Sequence, residues 1–301
     1  MSAGIEVRGL SKSFGSVRAV DDLTFTVAQG TVTGFLGPNG AGKTTTLRMA
    51  LGLIRPDDGE TTIGGVAYRD IAAPASVVGA ALDASGFHPG RTGRAHLQIY
   101  ARVNGFAHQR VDAVLEVVGL TAAGRRRIGG YSLGMRQRLA LAVAMLGDPQ
   151  VLVLDEPANG LDPEGIVWLR QLLRRLAGEG RTVLVSSHVL TEMQQLVDHV
   201  VIIGGGRLLY QGPVAELANR HAAVVEVRTR HGDQLRAALT DQYDVSVTAA
   251  DNGVLLVDGV DAAAVGRVAF SAGVELEWLA QRDSDLEELF FKLTADARVG
   301  A

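Results

Sequence analysis

The stretch that decides the fold is Gly37-Pro38-Asn39-Gly40-Ala41-Gly42-Lys43-Thr44-Thr45. It follows the apolar run Val32 to Leu36, which predicts a buried strand, and it precedes a helix-like stretch from Thr44 to Leu53. Glycines let a backbone wrap a polyphosphate, so that successive N–H groups and a helix N-terminus point at the anion. The pattern therefore predicts a phosphate-binding loop, in which Lys43 contacts the β- and γ-phosphates of a nucleoside triphosphate and Thr44 holds Mg²⁺.

Further apolar runs end in residues that suit phosphate chemistry. The run Val151 to Leu154 precedes Asp155 and Glu156, as expected of a strand that is buried on both faces of a parallel sheet and carries acids at its carboxyl end. The run Thr182 to Ser187 reads as another buried strand, and His188 stands at its exit. We expect Asp155 to reach Mg²⁺ and Glu156 to polarise a water molecule.

Before the strand that ends at Asp155 lies the segment Tyr131-Ser132-Leu133-Gly134-Met135-Arg136-Gln137. The order and spacing of these motifs resemble the ATP-binding cassette (ABC) family, the nucleotide-binding subunits of membrane transporters, over residues 4 to 217. The resemblance implies an α/β fold, a P-loop NTPase cassette in domain 1–217, and ATPase activity with ATP and Mg²⁺ as cofactors. It also implies a helical subdomain at about residues 87–130, which offers a groove to a multi-span membrane permease subunit; the alternative for this region is an insertion that only packs.

The resemblance implies roles for single residues around one nucleotide. Phe14 matches the aromatic side chain that stacks on adenine, with a place in the core as the alternative. Asp155 matches the acid on the metal side, Glu156 the catalytic base, and His188 the switch histidine on the γ-phosphate.

Other matching residues imply a dimer. Ser132 and Gly134 match the family signature, which contacts the γ-phosphate of ATP held by the other subunit of a head-to-tail dimer. Ser132 also precedes a helix-like stretch to about Leu146, so its hydroxyl and the helix dipole are available to an anion. Asp162, in Asn159-Gly160-Leu161-Asp162, matches the loop that crosses the dimer interface in the family. Both a homodimer and a heterodimer are compatible with this reading.

The sequence departs from the commonest family pattern at the signature and near residue 83. Leu133 and Met135 occupy the first glycine and the glutamine of the signature. Asp83 stands where most members place a glutamine that touches Mg²⁺ and senses the membrane partner; the alternative for Asp83 is a loop carboxylate that faces solvent. With the segment Gly86-Phe87-His88-Pro89, these features look most like the subgroup that exports drugs, antibiotics or peptides.

Parts of the sequence also match two other functions. Gly130-Tyr131-Ser132-Leu133-Gly134 satisfies the G-x-S-x-G motif of serine hydrolases, but that motif requires a strand directly before it, and Arg125 to Gly130 is basic and glycine-rich. The principal alternative is a soluble ABC-type ATPase that acts on the ribosome or DNA. Such proteins usually carry paired cassettes or a long coiled-coil insertion, and neither pattern is present.

Composition fits a peripheral ATPase. The formal net charge of −4 gives no electrostatic reason to expect a nucleic-acid partner, cysteine is absent, and the histidines lack zinc-ligand spacing. No apolar run is long enough to cross a bilayer, so we expect the pore on another chain. Lysine occurs only at Lys12, Lys43 and Lys292 while arginine is plentiful, which indicates a GC-rich bacterial genome. The expected location is the cytoplasmic face of the bacterial plasma membrane.

Residues 222–301 predict a separate α+β accessory domain after a short helix at Val214 to Arg220. The pattern is βαββαβ with a trailing helix, which is ferredoxin-like. Its strands offer almost no aromatic side chains for RNA, so a regulatory or dimer-stabilising appendage is the better interpretation. The predicted elements are strands at 223–229, 244–248, 254–257 and 274–280, and helices at 233–239, 261–270 and 285–293, the last entered by the capping box Ser284-x-x-Glu287.

Overall fold

The computed structural model describes residues 4–83, 86–190, 193, 196–219, 224–250, 253–282, 290 and 293–294. Contacts divide the chain into two compact units, Met1–Gly212 with Leu293–Ala301, and Pro213–Lys292. The domain limits at residues 217 and 222 that the sequence suggests stay predictions.

The first unit alternates strands and helices. Its strands are β1 (Ile5–Phe14), β2 (Val17–Val27), β3 (Val32–Leu36), β4 (Asp58–Ile63), β5 (Val78–Ala81), β6 (Val151–Asp155), β7 (Thr182–Ser187), β8 (His199–Gly204) and β9 (Arg207–Pro213). Its helices are α1 (Lys43–Ala50), α2 (Pro74–Val77), α3 (Gly93–Val103), α4 (Gln109–Val117), α5 (Leu133–Met145) and α6 (Pro163–Gly178).

The larger sheet of this unit has the strand order β5-β6-β7-β3-β8-β9. The pairs β5/β6, β6/β7, β3/β7 and β3/β8 are parallel, and every residue of β3 and β7 is buried. Strands buried on both faces need continuous apolar sequence, which is the pattern that the runs before Gly37, Asp155 and His188 show. The predicted P-loop α/β class is confirmed, and the carboxyl ends of β3, β6 and β7 meet at one edge, where ligands bind in such sheets.

A smaller antiparallel sheet, ordered β2-β1-β4, shares a hydrophobic core with the parallel sheet. The rings of Phe25 on β2 and Phe35 on β3 stack with their centroids 5.1 Å apart. Aromatic contacts of this kind join the two sheets, so that β2 is fixed beside the loop that follows β3.

Helix ends follow local sequence signals. The helix after the phosphate loop ends at Ala50, before the predicted end at Leu53, because Gly52 adopts a φ of +67° and reverses the chain. Ser132 caps α5, since its Oγ accepts a hydrogen bond from the Met135 N–H at 3.2 Å.

A 3₁₀ turn at Ile128–Gly130, and no strand, precedes Ser132. The serine-hydrolase motif therefore lacks the context it requires.

The region predicted as a helical subdomain contains α3 and α4. Thr92 caps α3 by accepting the Ala95 N–H at 3.1 Å. The hydroxyl of Tyr131 donates to the Ala123 carbonyl at 2.8 Å and ties the end of this region to the start of α5. Among the residues that the structure describes, every helix is too short or too polar to span a bilayer.

The second unit is a four-stranded antiparallel sheet covered by helices. Its elements are α7 (Val214–Asn219), β10 (Val224–Arg228), α8 (Gly232–Gln242), β11 (Ser246–Ala249), β12 (Val254–Asp258), α9 (Ala262–Ser271) and β13 (Trp278–Arg282). The strand order β11-β12-β10-β13 with its βαββαβ sequence confirms the predicted ferredoxin-like fold. Residues 251–252 of the hairpin, and Ser284, Glu287 and most of the predicted final helix, lie outside the described residues.

The last strand of this unit begins later than predicted. Val274 does not join the ladder, because Gly273 at φ +67° ends α9 and the Val274 N–H closes the helix on the Ala269 carbonyl at 2.9 Å. Pairing with β10 starts only where the Glu277 N–H donates to the Arg228 carbonyl at 2.8 Å. Val274 is buried as part of the core of this unit instead.

A chain truncated after residue 220 is expected to unfold cooperatively and to bind Mg-ATP, because the described hydrophobic core that the two sheets share lies between Ile5 and Ile203. Thermal unfolding and calorimetric titration with ATP check this prediction. Full loss of soluble protein would show instead that residues 222–301 complete the cassette core.

Candidate nucleotide-binding site

The phosphate loop surrounds a cavity of about 310 Å³ at the carboxyl edge of the parallel sheet. Its lining comes from the loop itself, from β2 and from the end of β6. The lining residues are Ala19, Asn39, Gly40, Ala41, Gly42, Lys43, Thr44, Thr45 and Glu156. The predicted loop and the predicted base thus border one cavity.

Two glycines of the loop are required by close backbone packing. A Cβ on Gly37 would lie 2.6 Å from the Ile203 carbonyl oxygen. Gly42 adopts a φ of +99°, and a Cβ there would lie 2.3 Å from the carbonyl oxygen of Ala19. The loop therefore folds directly against β8 and β2, which turns its backbone toward the cavity.

Lys43 is buried at the first position of α1. Its Nζ donates to the carbonyls of Gly37 at 2.6 Å and Pro38 at 3.2 Å. Burial lowers the pKa of Lys43 below its ordinary value, while the charges of Glu156 and Asp155 oppose that shift. The ammonium group is held inside the phosphate loop, where an anion would replace the weaker carbonyl partners.

The carboxylate of Asp155 joins three elements. Its Oδ2 accepts from the Thr44 hydroxyl at 2.8 Å, and its Oδ1 accepts a short hydrogen bond from the Ser186 hydroxyl. Register explains the second contact, because Asp155 on β6 lies opposite Ser186 on β7. A hydroxyl and a carboxylate oxygen thus converge beside the start of the phosphate-loop helix.

The backbone leaves the extended conformation of β6 at Glu156. Its φ is +48°, and its N–H bonds to both the carbonyl and the hydroxyl of Ser186, at 3.2 and 3.0 Å. Its carboxylate lies 3.0 Å from His188 Nδ1 and accepts from Asn159 Nδ2 at 2.8 Å. The base predicted from the sequence is therefore oriented by a histidine and an amide.

Phe14 lies at the tight turn between β1 and β2 and is half exposed, which excludes the alternative of a core side chain. Phe14 pairs with Val17, and Ala19 stands two residues farther along β2, a rise of roughly 7 Å. Because Ala19 lines the phosphate cavity, the turn that carries Phe14 is only a few residues from that cavity along β2.

The signature segment packs on the loop that follows Glu156. A Cβ on Gly134 would lie 3.1 Å from the Gly160 carbonyl oxygen. Asp162 caps α6, since its Oδ1 accepts the Gly165 N–H at 2.8 Å. The structure thus brings Ser132, Gly134 and Asp162 to neighbouring helix N-termini, and their roles toward a second nucleotide stay predictions.

Asp83 is exposed and lies two residues beyond β5. Because Ala81 at the end of β5 pairs with Leu154, Asp83 stands at the same sheet edge as Asp155. This placement is compatible with both sequence-based interpretations, a carboxylate beside the metal and a loop carboxylate that faces solvent, and the contact with a metal stays a prediction.

Sequence analysis missed Ser186, Asn159 and Ala19. Ser186 could have been recognised because it lies near the end of a buried strand, and the neighbouring strand ends in Asp155. Asn159, three residues after Glu156, could have been recognised as a local amide donor. Ala19 had no signal, because it contributes a backbone surface.

Comparisons with known proteins show the family to which the chain belongs. The family model described as ABC transporter matches residues 20–159, and a model for a domain of unknown function matches residues 223–287. The chain is 36% identical to the bacitracin transport ATP-binding protein of Bacillus licheniformis, over 100% of both chains. It is 37% identical to a daunorubicin resistance ATP-binding protein of Streptomyces coeruleorubidus, over 98% of this chain and 96% of that protein. The chain belongs to the ABC transporter family of ATP-binding proteins, as the motifs predicted.

Solved structures show the same fold. An ATP-binding subunit of an ABC transporter superposes with a TM-score of 0.65 at 26% identity, over 72% of this chain and 92% of that chain. A bacterial ABC transporter cassette solved as a dimer gives a TM-score of 0.65 at 20% identity, over 70% of this chain and 98% of that chain.

We expect Ser186→Ala to lower the free energy of unfolding by about 1–3 kcal/mol, because it removes the donor to a half-buried carboxylate oxygen of Asp155 and one acceptor of the Glu156 N–H. Urea denaturation measures the change. Ser187→Ala is the matched control, since the Ser187 hydroxyl bonds only within its own loop, to Val189, in the contacts described. Equal losses in both variants would contradict a special role for Ser186.

Proposed function

We propose that this chain is the ATP-binding and ATP-hydrolysing subunit of an ABC exporter that moves a drug, antibiotic, peptide or similar substrate through a separate membrane subunit. Relatives that match it over nearly their whole length are named for bacitracin transport and daunorubicin resistance. A further relative, 38% identical over 78% of this chain, is a Nod factor export ATP-binding protein of Ralstonia nicotianae. These names support export as the direction of transport.

The observation that carries the proposal is the cavity that Lys43 and Glu156 share. The loop presents N–H groups and a buried ammonium to one side of the cavity, and a carboxylate borders the other. Such an arrangement binds a polyphosphate by its charge and places a base beside the terminal phosphate.

In the proposed reaction, a water oxygen attacks the γ-phosphorus of ATP and the bond to the β-phosphate oxygen breaks. Glu156 orients that water and accepts its proton, while His188 and Asn159 hold the carboxylate. Lys43 exchanges the carbonyls of Gly37 and Pro38 for phosphate oxygens and offsets their charge.

The residues at the edge of the sheet fit Mg²⁺. Thr44 Oγ1 and Asp155 Oδ2 lie 2.8 Å apart, and hydroxyl and carboxylate oxygens are the donors that this ion takes beside substrate phosphates. When bound, Mg²⁺ neutralises charge on the phosphate oxygens. We assign Thr44 and Asp155 to hold it, with Asp83 as a further oxygen at the same edge.

ATP binding is proposed to close a head-to-tail dimer, with a second copy or a related subunit as partner. Ser132 and Gly134 at the start of α5 then meet the γ-phosphate of the partner's nucleotide. Hydrolysis would reopen the dimer.

The other partner is a multi-span permease, which follows from the transporter family. Docking on it gives the subunit a peripheral position at the cytoplasmic face of the bacterial plasma membrane. A soluble ATPase that acts on the ribosome or DNA is not favoured. The relatives that match over nearly their whole length are named as transport and resistance proteins, and the net charge of this chain is −4.

Replacing Glu156, the proposed catalytic base, tests the hydrolysis step. Glu156→Gln is expected to preserve ATP binding and to lower turnover by about 10²-fold or more, because it removes the proton acceptor and keeps the shape. Steady-state phosphate release and ATP titration provide the two readouts. Glu179→Gln, which changes an exposed carboxylate at the end of α6, is the control. Near-normal turnover of Glu156→Gln would remove this residue from the role.

Lys43→Ala is expected to impair ATP binding, the step before hydrolysis. It deletes the phosphate charge contact, so that ATP affinity itself falls. Titration with ATP should separate it from Glu156→Gln, and equal affinities in the two variants would contradict the assignment of Lys43.

Asp83→Ala is expected to raise the Mg²⁺ concentration needed for half-maximal hydrolysis, with a smaller loss of ATP affinity than Lys43→Ala. Asp83→Gln should be milder, because it keeps an oxygen donor. Titration of the ATPase rate against Mg²⁺, with and without the permease, measures both effects. Asp70→Ala controls for loss of an exposed charge, and identical curves for Asp70→Ala and Asp83→Ala would place Asp83 outside the metal site.

A further inference from the structure

The ammonium group of Lys12 lies beside the exposed ring of Phe14. Lys12 Nζ lies 5.7 Å from the centroid of the ring, within the range in which a cation is attracted to a π-face. The same Nζ lies 2.6 Å from Asp57 Oδ1. The Lys12 side chain is only 17% exposed, so its stem is packed and its head has a fixed direction.

Asp57 fastens the end of β1 with three hydrogen bonds. Its Oδ1 accepts from Lys12, and its Oδ2 accepts the Ser13 N–H at 2.7 Å. Its own N–H donates to the Ser11 carbonyl at 2.9 Å. The hydrogen bond from Lys12, followed by that from Ser13, holds the pKa of Asp57 below its ordinary value.

Asp57 makes these contacts on the side of β1 from which β4 has departed. The pairing of β1 with β4 stops at Ser11, which lies opposite Asp58. The pairing of β1 with β2 continues to Phe14, but it is irregular on both sides of Lys12. On the β4 side of residues 12–14, the Asp57 carboxylate therefore supplies contacts that a neighbouring strand would otherwise give.

We propose that Lys12 and Asp57 are positioning residues for the adenine base of ATP, which act by holding and polarising the Phe14 ring. Asp57 fixes the Lys12 ammonium and the backbone before Phe14, and the ammonium orients the ring. A cation near an aromatic ring withdraws π density, which strengthens stacking on an electron-rich base. The inference rests on the proposed function, in which Phe14 stacks on adenine.

Two ligands distinguish binding of the adenine base from binding of the phosphates. ADP carries adenine, inorganic pyrophosphate does not, and neither is consumed by hydrolysis of a γ-phosphate. Lys12→Met keeps the length of the side chain and removes the charge, so we expect about two- to fivefold weaker ADP binding, the size of an exposed cation–π contact. Pyrophosphate affinity should not change. Lys12→Arg should retain ADP affinity, and Asp57→Asn should weaken ADP binding in the same direction as Lys12→Met.

Matched controls remove the same charges elsewhere. Arg8→Met deletes a cation of an exposed ion pair on β1, and Asp58→Asn deletes the carboxylate next to Asp57. Both should leave ADP and pyrophosphate affinities unchanged. Calorimetric titration gives the affinities, and thermal unfolding reports whether each variant is folded.

A double-mutant cycle shows whether Lys12 acts through the ring. In a Phe14→Ala background, Lys12→Met should cause no further loss of ADP affinity. If Phe14→Ala weakens ADP binding and Lys12→Met does not, the inference is overturned and the proposed adenine site stands. Equal weakening of pyrophosphate by Lys12→Met would also overturn it, since Lys12 would then act on the phosphates. If Phe14→Ala leaves ADP binding unchanged, both the inference and the adenine assignment are wrong.

Discussion

The hydrogen bonds of the Asp155 carboxylate are the constraint on which the rest of the site depends. One oxygen accepts from Thr44 and the other from Ser186. Thr44 belongs to α1, Asp155 ends β6 and Ser186 lies on β7, so one side chain joins the phosphate-loop helix to two neighbouring strands. Because parallel register sets Asp155 opposite Ser186, the sheet itself fixes this carboxylate, and the site is prepared before a nucleotide binds.

The left-handed backbone at Glu156 separates two adjacent acids. A non-glycine residue at φ +48° costs on the order of 1 kcal/mol, and the two hydrogen bonds from its N–H to Ser186 hold the conformation. The consequence is that neighbouring carboxylates have different partners. Asp155 faces two hydroxyls, and Glu156 faces His188 and Asn159. The two acids therefore have different surroundings, as the roles proposed for them toward a cation and a water molecule require.

The sequence predicted the parts of the molecule that depend on local pattern. Continuous apolar runs predict strands buried on both faces, and the glycine-rich loop predicts the phosphate site, because both constraints act on neighbouring residues. Ser186 and Ala19 were missed, since their roles come from strand register and from backbone packing against Gly42. The late start of β13 was missed for a related reason, because the closing contact of Val274 with α9 competes with the ladder.

Gly160 provides the space that Leu133 requires in the signature segment. A Cβ on Gly160 would lie 2.2 Å from Leu133 Cδ2. Gly160 has a φ of +74°, so it supplies both the turn and the space for the leucine. The segment at Ser132 and the loop from Glu156 to Asp162 therefore pack against each other, and a side chain at position 160 would displace Leu133.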